Sequence, residues 1–283
     1  MVKIPNMNKE IAEEILFAKT PDEILEVYST PFYCSENMVR DYQENGFEKV
    51  KKVFSDNVMA YIKKIIEAAV FLRKESDKRE LKDKSPYQQS FLQCGFLAFD
   101  FPAIKDFVFS IRLASIAKAL LNAEHVRLWH DQALFKEPHG RHTDVHVDSS
   151  YWPINEPIKT GTIWLALNEV SKEKGCLYFY PGSQKFEREY IDIFNSPHQP
   201  EKIKSLQEVY QPLSSGDLTF HSGLTYHGAG ANMTEEFREG MTIIYFADGC
   251  TFTDQDTRNS THKSCIGLNN GDVIDTIYTP III

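Results

Sequence analysis

Two histidine–aspartate pairs stand close together in the middle of the chain. His142 and Asp144 form the first pair, His146 and Asp148 form the second, and one residue separates the two members of each pair. On a β-strand, residues two positions apart point to the same face of the sheet. Each pair can therefore present one imidazole nitrogen and one carboxylate oxygen to a single metal ion, although an isolated pair of this kind is more often a hydrogen-bonded pair in a loop.

Further candidate groups follow in the second half of the chain. Residues 216–232 contain His221 and His227, and Arg238 follows shortly after them. Two imidazoles and one carboxylate on one face of an ion are the arrangement of non-haem Fe(II) oxygenases, which keeps positions open for a cosubstrate and O₂. The planar guanidinium of an arginine binds a carboxylate through two parallel hydrogen bonds. The residue types alone leave open which histidine–aspartate pair and which of the two later histidines would bind the ion.

Four longer stretches of the chain carry a more specific pattern. They are WHDQALFKEP (residues 129–138), HVDSSYWP (146–153), TIWLALNEVSKEKGCLYFYPGSQK (162–185) and GDLTFHSGLTYHGAGANMTEEFR (216–238). Together with ENGF at residues 44–47, they resemble the phytanoyl-CoA dioxygenase family of Fe(II)- and 2-oxoglutarate-dependent oxygenases, over about residues 38–250. The combination of the His-x-Asp pair, the PGS turn and an HGxGxN turn followed by arginine is far more specific than any of its parts.

The family pattern implies one choice of metal ligands. In the family, an aromatic pair follows the ligating histidine–aspartate pair, and here residues 151–152 (Tyr-Trp) follow His146 and Asp148. The other ligating histidine opens the HGxGxN turn, which corresponds to His227. The resemblance thus implies His146, Asp148 and His227 as ligands of Fe(II), and it leaves His221 as a neighbour that lines the same cavity.

The resemblance also implies a site for 2-oxoglutarate and an activity. Arg238 corresponds to the residue that binds the distal carboxylate of this cosubstrate, and Trp164 and Gln132 correspond to residues that contact it. The implied enzyme is a dioxygenase that uses Fe(II), 2-oxoglutarate and O₂ to hydroxylate, or otherwise oxidise, an unactivated C–H bond of a small organic substrate. It releases succinate and CO₂, and ascorbate is an expected stimulant. Asp148 favours hydroxylation over halogenation, because related halogenases carry a small residue at that position.

One departure from the family pattern keeps a second function open. Ala229 stands where the family often has serine, so one hydroxyl contact to the cosubstrate is missing or is supplied by Thr225 or Thr242. The alternative function is therefore a non-catalytic jelly-roll protein of the same family that binds its ligand without turnover. A zinc hydrolase is less favoured, because it would leave Arg238 without a role.

The segments around these motifs predict a helical flank and a β-rich body. Helical spacing of apolar residues predicts helices over residues 8–26, broken at 20–21, from Ser55 onwards, and over 114–122. Short runs rich in β-branched and aromatic residues predict strands at 126–136, 162–168, 177–180, 218–221 and 241–246. We therefore predict a mainly β protein with flanking helices and a double-stranded β-helix core, a jelly roll of the cupin type.

We expect one oxygenase domain over residues 1–283. Its parts are a largely helical flank at 1–122, a jelly-roll core at 123–250 and a C-terminal extension at 251–283. Within the core, the turn at residues 228–232 is expected to pair the strand that bears His227 with the strand that follows. This pairing would bring Arg238 close to the metal.

Charge and composition disfavour several classes of function. The chain has 31 Lys and Arg against 40 Asp and Glu, and its formal net charge of −9 disfavours nucleic acid as a partner. The five cysteines include no CxxC pair, and no apolar run is long enough to cross a bilayer. We therefore expect a cytoplasmic protein with a small-molecule substrate and no membrane association. The sequence specifies neither the substrate nor the oligomeric state.

Overall fold

The structure is a computed structural model that describes residues 7–187, 189–191, 193, 197–254 and 262–283. Within these ranges, seven α-helices precede residue 122. The helices are α1 (Lys9–Phe17), α2 (Asp22–Ser29), α3 (Glu36–Asn45), α4 (Asp56–Lys74), α5 (Pro86–Ser90), α6 (Pro102–Val108) and α7 (Ile111–Leu121). As the sequence predicts, a break separates α1 from α2, and α4 begins directly after Ser55. No helix in these ranges is both long enough and apolar enough to span a lipid bilayer.

Ten strands in the described residues form two antiparallel sheets with a cavity between them. The strands are β1 (Phe47–Val50), β2 (Leu92–Gly95), β3 (Val126–Lys136), β4 (Thr143–His146), β5 (Thr160–Ala166), β6 (Leu177–Phe179), β7 (Val209–Gln211), β8 (Leu218–Ser222), β9 (His227–Ala229) and β10 (Arg238–Ala247). The six-stranded sheet has the order β1-β8-β5-β10-β3-β2, and the four-stranded sheet has the order β4-β9-β6-β7. The predicted jelly-roll core with flanking helices is confirmed.

The alternation of side chains along β10 gives the six-stranded sheet two different faces. Met241, Ile243 and Tyr245 are buried in the main hydrophobic cluster, which they share with residues of the helices. Thr242 and Ile244 point the other way and line the cavity between the sheets. The helices, with α7 packed on β5 and β10, therefore support the cavity from outside by burying the apolar face of the sheet.

The strand that begins at Arg238 does not pair with the strand that bears His227, and the sequence-based expectation of a hairpin is wrong. β10 pairs with β3 and β5, whereas β9 pairs with β4 and β6 in the other sheet. The chain crosses between the sheets over residues 230–237, where the side-chain amide of Asn232 donates hydrogen bonds to two backbone carbonyls at 2.7 and 3.0 Å. Arg238 and His227 therefore reach the cavity from opposite sheets.

The C-terminal segment lies along the first residues of β3. The backbone N–H of Val126 donates to the carbonyl of Ile283 at 3.0 Å, and the N–H of Leu128 donates to the carbonyl of Pro280 at 3.1 Å. The chain that leads to this edge includes residues 262–263, which line the cavity. Residues far beyond the jelly-roll strands thus form part of the cavity wall.

Candidate metal centre

Two short strands and one turn position the three predicted metal ligands. His146 ends β4 and lies directly opposite His227, the first residue of β9, so that the two rings are 4.3 Å apart. Asp148 begins a turn of 3₁₀-helix (Asp148–Tyr151), which takes the chain off the strand and points the carboxylate back to the two rings. The sequence-based argument that His146 and Asp148 share one strand face therefore does not apply, because the strand ends between them.

The three side chains converge on one point. One ligand atom from each of His146, Asp148 and His227 lies within 4.8 Å of the other two. Oδ1 of Asp148 is 3.5 Å from Nε2 of His146 and 3.7 Å from Nε2 of His227. Because all three donor atoms face the same small space, two nitrogens and one oxygen are available on one side of an ion.

Backbone carbonyls set the tautomer of both histidines. Nδ1 of His146 is 2.8 Å from the carbonyl oxygen of Asp144, and Nδ1 of His227 is 2.9 Å from that of Thr225. A carbonyl oxygen only accepts hydrogen bonds, so each Nδ1 carries the proton and each Nε2 presents a lone pair. The donor set therefore fits a first-row divalent metal such as Fe(II).

The protonation states of Asp148 and His227 also suit a metal. Burial by itself would raise the pKa of Asp148, but the surrounding His227, His146 and His221 outweigh it and hold that pKa well below its ordinary value. Burial, reinforced by the nearby His146, lowers the pKa of His227 well below its usual range. At neutral pH the site thus contains a carboxylate and a neutral imidazole, the forms that coordinate metals.

The second oxygen of Asp148 is held by the opposite sheet. Thr162 donates a hydrogen bond from Oγ1 to Oδ2 at 2.7 Å, and Nε2 of His221 is 3.1 Å from the same oxygen. Thr162 and His221 are paired neighbours on β5 and β8. His221 therefore lines the cavity and contacts the carboxylate of Asp148, which is a proposed ligand.

The other histidine–aspartate pair, His142 and Asp144, lies outside this cluster. Its two side chains contact each other at 3.1 Å, and the ring of His142 is largely exposed.

We expect Thr162→Val to weaken Fe(II) binding by about tenfold, because the loss of one hydrogen bond frees the carboxylate of Asp148 to rotate. The affinity can be measured by anaerobic titration with Fe(II). Thr219→Val is the matched control: Thr219 is a buried threonine on the same sheet whose hydroxyl has no hydrogen-bond partner among the described residues. Equal effects of the two substitutions would contradict this role of Thr162.

Arg238 is a buried cation without an anionic partner in the described residues. It is 1% exposed, its Nη1 donates to the carbonyl of Gly175 at 2.9 Å, and its Nε has no hydrogen-bond partner there. Burial lowers the pKa of Arg238 to about 10, so the guanidinium is still charged at neutral pH. A buried charge is costly unless it is paired. The side chain therefore fits a ligand that brings its own carboxylate, as 2-oxoglutarate does.

A glycine and a tryptophan set the position of this guanidinium. The guanidinium lies 5.2 Å from the centre of the Trp164 ring, within the range of a cation–π contact. A Cβ atom at Gly240 would lie 2.2 Å from Cζ2 of Trp164. Only a glycine therefore leaves room for the indole, and the sequence analysis missed this requirement because glycine inside a strand has no unique meaning.

Gln132 and Trp164 lie on either side of β10. Thr242 of β10 is paired with Gln132 of β3 on one side and with Trp164 of β5 on the other, and all three line the cavity. The side-chain oxygen of Gln132 accepts a hydrogen bond from Gln93. Trp164 and Gln132 therefore lie on the same cavity wall as Arg238. From this wall, all three side chains can contact one cosubstrate molecule.

The hydroxyl groups around Ala229 differ in their availability. Thr225 donates its hydroxyl to the carbonyl of Gly46 at 2.7 Å, so it is already used in the fold. Thr242 also donates its hydroxyl, to the carbonyl of Gln132 at 3.2 Å, but unlike Thr225 it lines the cavity. Thr143, which lies directly opposite Ala229 in the pairing of β4 with β9, lines it too. Of the two replacements that the sequence suggests, Thr242 is thus the better placed, and Thr143 is a further candidate that only the strand pairing reveals.

A buried lysine next to Arg238 has no signal in the sequence. Lys136 is paired with Arg238 across β3 and β10, and its ammonium group donates to the carbonyls of Arg141 at 2.6 Å and Gly230 at 2.9 Å. Burial, with a further contribution from Arg238, lowers the pKa of Lys136 well below its ordinary value. The lysine therefore ties the loops behind the cavity together.

The cavity that contains these groups measures about 820 Å³. The residues discussed as ligands or cosubstrate contacts all line it: His146, Asp148, His227, Arg238, Trp164 and Gln132. Binding pockets for small molecules are commonly about 300–1,000 Å³. The space is therefore large enough for a cosubstrate and a second organic molecule together.

Comparisons with known proteins identify the family and the fold. Residues 42–240 match the family described as phytanoyl-CoA dioxygenase (PhyH). A phytanoyl-CoA dioxygenase domain-containing protein 1 homolog of Caenorhabditis briggsae is 23% identical over 248 residues, which are 83% of this chain and 78% of that protein. The crystal structure of the non-haem α-ketoglutarate-dependent carbocyclase SnoK from nogalamycin biosynthesis is similar, with 25% identity, a TM-score of 0.72 and coverage of 89% and 99% of the two chains. The epimerase SnoN, in complex with Fe³⁺, α-ketoglutarate and nogalamycin RO, has the same fold, with 23% identity, a TM-score of 0.73 and coverage of 87% and 98%.

Proposed function

This chain belongs to the phytanoyl-CoA dioxygenase family and is a 2-oxoglutarate-dependent non-haem iron dioxygenase, and we propose that it hydroxylates an unactivated C–H bond of a small organic substrate. Succinate and CO₂ are the products formed from the cosubstrate. The observation that carries the proposal is the common cavity, in which three convergent metal-binding side chains face a buried arginine without an anionic partner in the described residues.

The proposed roles follow from the contacts of each side chain. His146, Asp148 and His227 hold Fe(II), and Arg238 binds the distal carboxylate of 2-oxoglutarate. Fe(II) and 2-oxoglutarate, when bound, supply the O₂-dependent oxidation of the substrate. Trp164 and Gln132 border the place of the cosubstrate, and Trp164 also orients the guanidinium through its ring.

Neighbouring groups of the protein hold the proposed metal ligands in place. The carbonyl groups that accept from Nδ1 keep both imidazole rings in the orientation that ligation needs. Thr162 and His221 fix the carboxylate of Asp148 from behind. The aromatic side chains of residues 151 and 152 line the cavity beside the ligands and exclude water from the reacting centre.

The cavity also supports treating the whole chain as one oxygenase domain. Its wall includes Phe96 from the helical flank, strand residues such as Thr242 and Ile244 from the core, and His262 from the C-terminal extension. A site that needs all three parts argues for a single functional unit over residues 1–283.

We expect the purified protein to convert 2-oxoglutarate into succinate and CO₂ when it is supplied with Fe(II), ascorbate and O₂, even before its substrate is known. Slow turnover without substrate is expected because the metal and cosubstrate sites do not depend on the substrate. Succinate can be quantified by mass spectrometry. His227→Ala should lose the activity, whereas His142→Ala should keep it, since His142 lies in the exposed pair outside the cluster.

One observation favours the alternative, a non-catalytic protein of the same family. Ala229 offers no hydroxyl to the cosubstrate, although Thr242 and Thr143 line the same cavity. A protein that binds 2-oxoglutarate and Fe(II) but releases no succinate with any substrate candidate would support this alternative over the proposed hydroxylase.

A further inference from the structure

The mouth of the cavity is partly built by residues outside the family match. That match ends at residue 240, whereas His262, Lys263 and Tyr278 belong to the C-terminal extension. His262 and Lys263 line the same cavity as the proposed metal ligands. The family match therefore does not indicate which ligand these residues bind.

Flat, uncharged rings form one wall of this mouth. The ring of His262 is 4.9 Å from both Phe96 and His130, and it is stacked on Trp129 at 5.0 Å with an angle of 4°. Burial lowers the pKa of His130 to about 4 and, with His130 nearby, that of His262 to about 3. Both imidazoles are thus neutral at neutral pH, and the wall suits the face of a flat or cyclic apolar group.

The backbone holds one of these rings in an uncommon conformation. Phe96 has φ of 57°, in the left-handed region that bulky residues rarely adopt. The carboxylate of Asp131 accepts hydrogen bonds from the N–H groups of Leu97 at 2.9 Å and Ala98 at 3.2 Å, which keeps the chain in this shape. Such strain persists where the surrounding structure maintains it, and it is concentrated at functional sites.

Lys263 places a positive charge against the same rings. Its ammonium group lies 5.3 Å from the ring centre of Phe96 and 5.9 Å from that of Tyr278, and it makes no ion pair with any carboxylate of the described residues. The other charged side chains that line the described cavity are Asp148 and Arg238, which the proposed function assigns to the metal and the cosubstrate. Among the described residues of the cavity wall, Lys263 is therefore the cation that remains for the substrate.

We propose that the substrate is a cyclic, largely apolar monocarboxylate, whose ring lies against Phe96, His130 and His262 and whose carboxylate binds Lys263. The proposal rests on the proposed function, because it places this molecule beside the metal as the substrate. One ammonium group balances one carboxylate. Among the described residues that line the cavity, a polyanion such as a nucleotide thioester would find no cation besides Lys263 and Arg238, and it would be opposed by the net charge of −9.

The test compares two probes of the same shape. 2-Naphthoate and its neutral amide, 2-naphthamide, are titrated into the anaerobic Fe(II)-loaded protein with saturating 2-oxoglutarate, and binding is followed by calorimetry. We expect the carboxylate to bind about tenfold more tightly than the amide, the size of one partly exposed charged contact. Lys263→Met should remove this difference without changing the affinity for the amide, whereas Lys263→Arg should retain most of it.

The control is Lys64→Met, which removes an exposed lysine on α4, away from the cavity. This variant should discriminate between the probes as the unchanged protein does. Equal binding of the two probes, or discrimination that survives Lys263→Met, would overturn the proposal. So would a carboxylate that binds only when 2-oxoglutarate is omitted, because it would then occupy the place at Arg238. Since the readout is binding, a protein that shows the Lys263-dependent difference but no succinate release would count against the proposed function alone.

Discussion

Asp148→Ala is expected to abolish the conversion of 2-oxoglutarate and to lower Fe(II) affinity by more than about a hundredfold. This decrease in affinity is larger than the decrease caused by removing a residue that only supports a metal ligand. The substitution removes the one anionic ligand and leaves two neutral imidazoles to bind the ion. It also leaves Thr162 and His221 without the oxygen that they contact. Iron content after anaerobic loading and succinate release measure the two effects.

Asp144→Ala is the matched control for this experiment. Asp144 also stands two residues after a histidine, but its carboxylate pairs with Arg141 at 2.8 Å and with His142 at 3.1 Å, outside the cluster. Its backbone carbonyl, which orients His146, is unchanged by the substitution. Circular dichroism should show that both variants are folded. Asp148→Ala with unchanged iron binding and turnover would exclude the proposed ligand set.

Arg238→Gln is expected to raise the concentration of 2-oxoglutarate needed for half-maximal turnover by about 10²-fold, which corresponds to roughly 2–3 kcal/mol for a lost charged hydrogen bond. The substitution keeps a polar side chain but removes the charge that a buried carboxylate needs. Fe(II) affinity should change little, since the proposed metal ligands come from the other sheet and its adjoining turn.

Two further variants sharpen the result for Arg238. Arg141→Gln removes an arginine whose partner is Asp144 and should leave the 2-oxoglutarate requirement unchanged. Arg238→Lys should recover only part of the affinity, because an ammonium group cannot form the two parallel hydrogen bonds of a guanidinium. An unchanged requirement in Arg238→Gln would remove this residue from the cosubstrate site.

Runs of β-branched and aromatic residues predicted five strands (β3, β5, β6, β8 and β10), but no such run indicates the bounds of β4 and β9. Val126–Lys136 has the predicted bounds, because apolar and aromatic residues recur along the run and make up six of its eleven residues. β4 and β9, which carry two of the proposed ligands, have four and three residues. These two strands are defined by their pairing with neighbours rather than by a run of apolar residues.

The features of the candidate site also divide into those that the sequence predicts and those that it does not. The histidines, the aspartate and the arginine were found from residue types, spacing and the family resemblance, because these features are local in the sequence. The hydrogen bond from Thr162 to Asp148, the position of Thr143 and the space that Gly240 leaves for Trp164 depend on which residues the sheets place side by side. The error about Arg238 has the same origin, since nothing local indicates that the chain changes sheets before β10.

The direct opposition of His146 and His227 would link the proposed metal site to the folding of the four-stranded sheet. A slip of one residue between two strands would turn one of the two imidazoles away from the other, because neighbouring side chains on a strand point to opposite faces. An ion that binds only the native pairing stabilises that pairing over every slipped one by mass action. An ion bound by both proposed ligands would thus stabilise the native register of β4 and β9.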